Sequence, residues 1–272
     1  MQDISARVEA RSASALDGAP PDGLSVRREQ ARSLNYAPRS PAFAPSPVAV
    51  GAKPRQGFFA SLAREDQAAF ESRSIARQYR EGSLSAESFD EAGHVHFVTA
   101  GVVCLYRTLS DGRRLVSDFA MPGDFIGPRA AGGGETFADA LGPVETRRMS
   151  ADAFSRLLQA RPGMARRLQA EADRERERMH ERMMLLARFS ARERVAAFVV
   201  HMQESWRRVN GASATVALPM TRQDIGDFTG LALETVSRMF SEFARERLLV
   251  LLPNGLRLLD AARLKSIARA GE

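Results

Sequence analysis

The sequence predicts an α+β chain in three parts: an antiparallel β-roll, one long helix and a C-terminal winged helix-turn-helix. Three observations carry that reading. Short β-branched and aromatic runs with glycine punctuation fill residues 94 to 127, and a helical run rich in Arg and Glu extends unbroken from Met164 to about Arg188. After it, two short helical patterns flank Gly230 just before an Asn-Gly hairpin signal.

Composition narrows the partners before any motif is read. A chain of 272 residues with 44% hydrophobic content can hold two small domains. Lys and Arg outnumber Asp and Glu by 39 to 33, for a net charge of +6, which favours a polyanion, most commonly nucleic acid. The single cysteine, Cys104, permits no internal disulfide and no four-cysteine cluster, so a reducing compartment, the cytoplasm, is expected. No stretch approaches the roughly 20 apolar residues that span a bilayer, and no signal-peptide pattern opens the chain, so no membrane partner is expected.

Taken in order, Met1 to about Lys53 has little periodic apolar pattern, and seven of the thirteen prolines lie between Pro20 and Pro54. This predicts a disordered arm over 1–56: a solvated extension, a misassigned start, or a tail that docks a partner or tracks DNA. Phe58 to Arg77 is helical in period. HVHFVTAG, VVCLYRTL, RRLVSDFAM and DFIG then read as strands, and Ser110-Asp111-Gly112 as a hairpin turn. Helix returns at Ala151 to Leu158. The roll is therefore placed at 57–162, the long helix at 163–188 and the winged unit at 189–272.

The long helix sets Met164, Leu168, Ala172, Met179, Met183 and Leu186 along one side and charge elsewhere, a seam suited to pairing with its own copy. Glu175 interrupts that seam. It would either approach its counterpart in a parallel homodimer and make pairing conditional, or lean out to an arginine.

In the C-terminal part, Ser190 to Met202 is helical, TVALP is a short strand, and Thr221 followed by Asp224 is a capping signature. Ile225, Phe228 and Leu231 supply apolar spacing around Gly230. Beyond the turn, Val236, Phe240 and Phe243 recur at helical spacing and claim the core, so Glu234, Ser237, Arg238, Ser241 and Arg245 share the other side. LLVLLPNGLRLLD follows as a hairpin, and the 85 residues from Arg188 onward carry 13 Lys and Arg against 9 Asp and Glu.

Such a polar face has a use in the major groove. Arg presents a fork matching guanine O6 and N7, Glu accepts from cytosine N4, and Ser serves either way, each good contact giving about 1–3 kcal/mol of discrimination. Thr221, Arg222 and Thr235 join Glu234, Ser237, Arg238 and Ser241 as candidate DNA contacts. Glu234 and Arg238, at i and i+4, would otherwise form only a surface ion pair worth about 0.3–0.5 kcal/mol.

At these residues the chain resembles the Crp/Fnr superfamily of bacterial transcription regulators, over roughly Phe58 to Ala268. LPMTRQDIGDFTGLALETVSR is similar to the helix-turn-helix of its Fnr/FixK-like branch, and AGVVCLYRTLSDGRRLVSDFAMPGDFIG to its roll. The resemblance implies a cyclic-nucleotide-binding-like jelly roll, Met220 to Gly230 as the positioning helix, and Glu234, Ser237 and Arg238 as readers of TTGAT-like half-sites. It also implies a homodimer on double-stranded DNA, with RNA polymerase as a further partner.

The departures are equally informative. Ala232 stands where family members carry a Thr or Ser cap, a loss of about 1 kcal/mol. Only Cys104 is present, so an oxygen-sensing iron–sulfur cluster is not expected. Cyclic-nucleotide members carry an Arg-Ser or Arg-Thr phosphate clamp; GDFIGPRAAGGGETFADALGPVETRRM contains no such pair, although Arg129 and Gly132 to Gly134 could form another anion site or simply a flexible loop. No cofactor is expected, and the regulator is read as effector-independent or responsive to an unknown signal. Cys104, between Val103 and Leu105, reads as a packed hydrophobe, with a redox-sensing thiol as the alternative. His94 and His96, on one side of a strand, could begin a cupin-like metal site and so an enzyme, but no glutamate follows at the spacing such a site needs.

Overall fold

A computed structural model of the chain describes residues 58–82, 93–127 and 137–269. The arm at 1–56 and the candidate anion site at Arg129 and Gly132 to Gly134 lie outside the described residues. In chain order the elements are a 3-10 turn at Phe59–Ser61, α1 (Arg64–Glu71), β1 (Ile75–Tyr79), β2 (His94–Ala100), β3 (Val103–Thr108), β4 (Arg114–Ala120) and β5 (Phe125–Ile126). Next come β6 (Phe137–Ala140), β7 (Val144–Ser150), α2 (Ala151–Ala160), α3 (Pro162–Arg188) and α4 (Ala191–Asn210). The winged unit closes the chain with β8 (Thr215–Ala217), α5 (Arg222–Thr229), α6 (Leu233–Arg245), β9 (Leu249–Leu252), β10 (Gly255–Leu258) and α7 (Ala261–Arg269).

The roll consists of two antiparallel sheets, ordered β1-β7-β2-β5 and β4-β3-β6. Strand alternation divides its apolar residues among three layers. Val98, Val103, Ala120, Ile126, Ala138, Ala140 and Val144 fill the space between the sheets. Phe97 and Met149 point the other way, into an aromatic cluster with Phe58, Phe59, Phe70 and Phe154 contributed by the entry segment and α2. On the far side of the second sheet, Val102, Cys104, Val116, Phe119, Met121 and Leu141 continue without a break into the core of the winged unit.

Two expectations for the roll are corrected. The helix expected to reach Arg77 stops at Glu71, and Ile75–Tyr79 is a strand paired with β7. A distant residue decides this: Arg147 on β7 donates to Ser74 Oγ at 2.9 Å and to Glu71 O at 2.7 Å, drawing the segment onto the sheet edge. Strands β6 and β7 were not anticipated. The FADA run of β6 is short and alanine-rich, and it suits its place because Ala138 and Ala140 pack where the two sheets leave little room.

The Ser110-Asp111-Gly112 hairpin forms as expected, Gly112 N donating to Leu109 O at 2.9 Å with Gly112 at φ +85°. In the wing hairpin the turn is Pro253-Asn254, and Gly255 already pairs with Leu252. Gly255 is needed there because a Cβ would lie 2.2 Å from Val216 O.

Helix α3 spans 27 residues and begins with Pro162 at its first position, where no amide donor is lost. Its seam is not uniform. Met164 is fully buried in the aromatic cluster of the roll and Leu168 packs against that cluster, so the first two seam residues serve the chain's own core. Ala172, Met179 and Met183 are exposed, Leu186 is half-buried near Gly230, and within the chain Glu175 lies 3.8 Å from Arg178. Among the described residues no helix is long and apolar enough to cross a membrane.

Candidate nucleic-acid interface

The reading unit is built from two helices, the first of them closed by a side-chain cap. Thr221 is the N-cap of α5: its hydroxyl accepts from Asp224 N at 3.1 Å, while Asp224 Oδ2 accepts from Thr221 N at 2.9 Å and from Thr221 Oγ1 at 2.8 Å. Gly230 ends α5 in the left-handed region at φ +67°, and Leu231 N returns to Gly226 O at 3.0 Å. A Cβ on Gly226 would stand 2.6 Å from Leu231 O, so glycine permits the close approach that makes the turn tight.

Helix α6 buries Val236, Met239, Phe240 and Phe243. At its far end Arg192 of α4 grips Glu242 and takes Glu246 in a bidentate pair at 2.7 Å, its guanidinium 5.2 Å from the Phe243 ring. With one face held in this way, the other is presented outward: Glu234, Arg238, Ser241 and Arg245 are exposed, Thr235 and Ser237 half-buried. Ser241 Oγ donates to Ser237 O at 3.0 Å, leaving its lone pairs outward. Ala232 is the N-cap and makes no side-chain cap bond, as its methyl group requires.

Two of the expected DNA contacts are used within the fold. Thr221 spends its hydroxyl on the capping box. Arg222 lies with its guanidinium 3.7 Å over the Phe240 ring, and burial pushes its pKa down. Both therefore help to shape the reading unit, and the exposed polar residues beside them are Gln223 of α5 and Glu234, Arg238, Ser241 and Arg245 of α6.

The remaining candidates fall into other roles. Cys104 is fully buried on the face of β3 that meets the winged unit, 3.8 Å from an Arg114 nitrogen, an environment that fits the packed reading and not an exposed sensor. His96 is also fully buried, its ring 3.4 Å from Thr146 Oγ1, and its pKa falls to about 4 through burial first and then Arg148 and His94. His94 sits against the Arg148 guanidinium at 3.0 Å, a cation where a metal site would need another ligand. Among the described residues no three His, Cys, Asp or Glu gather as a metal ion would require. Thr146 and Arg147, though adjacent, point to opposite faces of β7, the first inward and the second to Ser74, so they do not form a clamp either.

Residues that sequence patterns did not single out tie the winged unit to the roll: Arg114 on β4 and Arg182 on α3 reach α5, and Asp118 and Asp124 stand opposite His201 and Arg208 of α4 at 3.9 and 3.7 Å. No local signal marks them, because their partners lie tens of residues away. Helix α7 was also missed, although Asp260 caps it through Arg263 N at 2.8 Å, a spacing legible in LDAAR.

Comparison with known proteins agrees with this geometry. Residues 193–267 match the Crp-like helix-turn-helix domain, and residues 76–161 the cyclic nucleotide-binding domain. The chain is 43% identical over 199 residues to the transcriptional activatory protein AadR of Rhodopseudomonas palustris, covering 72% of this chain and 83% of that protein. It is 43% identical over 173 residues to the nitrogen fixation regulation protein FixK of Bradyrhizobium diazoefficiens, covering 64% and 73%. The solved structure of FixK2 from Bradyrhizobium japonicum superposes with a TM-score of 0.66 at 31% identity, over 73% of this chain and 99% of that one. A roll, a long helix and an outward-facing helix-turn-helix, together with relatives that are regulators and not enzymes, place the chain in the Crp/Fnr family of DNA-binding transcription regulators, within its Fnr/FixK-like branch.

Proposed function

We propose that this regulator acts as a homodimer on a palindrome of TTGAT-like half-sites, one α6 in each major groove. The observation that carries the reading is that Glu234, Arg238 and Ser241 are exposed on a helix whose opposite face is fully buried. In that position Arg238 would fork onto guanine O6 and N7 and Glu234 accept from cytosine N4, with Ser237, Ser241 and Thr235 beside them. The functional division proposed is an arm at 1–56, the roll at 57–162, a dimerisation helix at 163–188 and the DNA-binding domain at 189–272. Ala172, Met179 and Met183 would form the pairing seam, with Leu186 below it and Leu168 assigned to the roll. Such a pair sets two recognition helices about 34 Å apart, one turn of DNA. The protein is proposed to work in the cytoplasm, without a cyclic nucleotide, and to contact RNA polymerase from the bound site.

Selection of bound sequences from random DNA by the full chain, in air and without oxygen, tests the reading. An inverted repeat is expected. Arg238→Ala should then weaken binding to the selected duplex by about 5- to 100-fold and leave scrambled DNA nearly unaffected. Equal losses on both would contradict base reading.

A further inference from the structure

Helix α5 carries none of the base-reading groups, yet it is held at both ends by arginines anchored on one strand of the roll. At its N-terminal end, Arg114 of β4 places Nη1 3.5 Å from Asp224 Oδ1, the oxygen that the capping box does not use. The same guanidinium reaches Asp139 on β6 at 4.0 Å and lies 4.0 Å over the Tyr106 ring of β3. At the C-terminal end of α5, Arg182 of α3 donates to Phe228 O at 3.0 Å, to Val116 O at 2.5 Å and to Ser117 O, with its guanidinium 3.7 Å over the Phe228 ring. Val116 and Ser117 belong to β4, an edge strand whose outward carbonyls Arg182 satisfies. The Phe228 ring in turn sits 5.4 Å from Phe119 of β4 and 5.6 Å from Phe198 of α4.

From this arrangement we infer that Arg114 and Arg182 are positioning residues for DNA reading: they fix the angle of the α5–α6 unit on the roll and the long helix, and so the separation of the two recognition helices in a dimer. The energetics favour a geometric role over a stabilising one. Asp224 is nearly fully buried, and a buried ion pair commonly returns less than its desolvation costs, so beyond the cap that Asp224 itself provides, the pair with Arg114 adds little stability over an apolar contact. What an apolar pair lacks is direction. Arg182 likewise answers carbonyls on two separate units, a contact that one relative orientation satisfies and others break. The grip leaves Glu234 and Arg238 exposed, so it orients the reading face without covering it. This inference rests on the dimeric, palindromic reading above.

The two heads of a rigid dimer bind cooperatively at one half-site spacing, whereas loosened heads lose effective concentration at that spacing and tolerate others. The test uses the full chain and duplexes carrying two selected half-sites, at the selected spacing or lengthened by 2 to 5 base pairs. Wild type should prefer its own spacing by about tenfold or more. In the double variant Arg114→Gln, Arg182→Met that preference should fall to about twofold, while the preference for the selected half-site over a scrambled one persists. Asp224→Asn, which keeps an oxygen for the cap but loses the ion pair, should give an intermediate loss and remains informative if the double variant does not fold. Unchanged spacing preference in folded variants would overturn the inference, as would tighter specific binding, because the grip would then hold an inactive orientation. If wild type itself shows no spacing preference, the dimeric reading fails at that arm, before any variant is measured, and takes the inference with it.

Discussion

Helices α6 and α3 both combine charge with an apolar stripe, yet they treat the stripe differently. In α6 every apolar position that faces inward finds the core, Phe240 and Phe243 being 1% and 0% exposed. In α3 only the first turns do so: Met164 is buried at 0%, whereas Met179, Met183 and Met184 stand 55%, 60% and 55% exposed. One helix is completed within its own chain and has a polar face to spare. The other leaves its methionines, soft and adaptable in packing, exposed within the chain, which is what the proposed pairing with a second copy would cover.

The strongest way to break this contrast is through the core of α6. Phe240→Ala should destabilise the winged unit by about 3–5 kcal/mol, read from thermal unfolding, with Arg222 losing the ring it lies on. The corresponding test in α3 separates its two ends. Met183→Glu should abolish the dimer in sedimentation at micromolar protein and remove only the concentration-dependent part of the unfolding temperature, while Leu168→Asp should lower that temperature at every protein concentration by burying a charge against the roll. If both substitutions acted alike, the division of α3 would be wrong.

A smaller effect comes from pH. His96 resists protonation down to about pH 4, whereas an unfolded histidine titrates near 6.5, so the unfolded chain takes up the proton first on acidification. Stability is therefore retained above about pH 6.5 and lost as pH falls towards 4, at up to about 1.4 kcal/mol per pH unit from this residue. The neighbouring turn works the other way, because burial raises Asp124 to about 6 and the folded chain binds that proton more readily. Comparing wild type with His96→Leu across pH 4 to 7 isolates the histidine: the variant should lose less stability on acidification than wild type. The smallest effect is expected at the recognition-helix cap, where Ala232→Ser should stabilise α6 by about 0.5–1 kcal/mol without changing base preference.

What could be read from sequence follows from the range of the interactions. The capped turn around Gly230, the outward set on α6 and the Ser-Asp-Gly hairpin depend on residues within about four positions of one another, and their spacing reveals them. Beta-strand β1 was misread because its fate depends on Arg147, some seventy residues later. The packing of Leu168 against the roll was not legible for a related reason: periodicity shows that a face is apolar but not what covers it. Thr221 and Arg222 carry DNA-compatible groups, and only the Asp224 carboxylate and the Phe240 ring show that those groups are already engaged.

Because Cys104 is the chain's single thiol and lies in the seam where the roll joins the winged unit, it is a native reporter of that joint. A thiol-specific reagent would reach it only during excursions that part the two halves. Its labelling rate therefore measures how often the molecule opens, with no probe introduced, and should slow once DNA holds the heads in place.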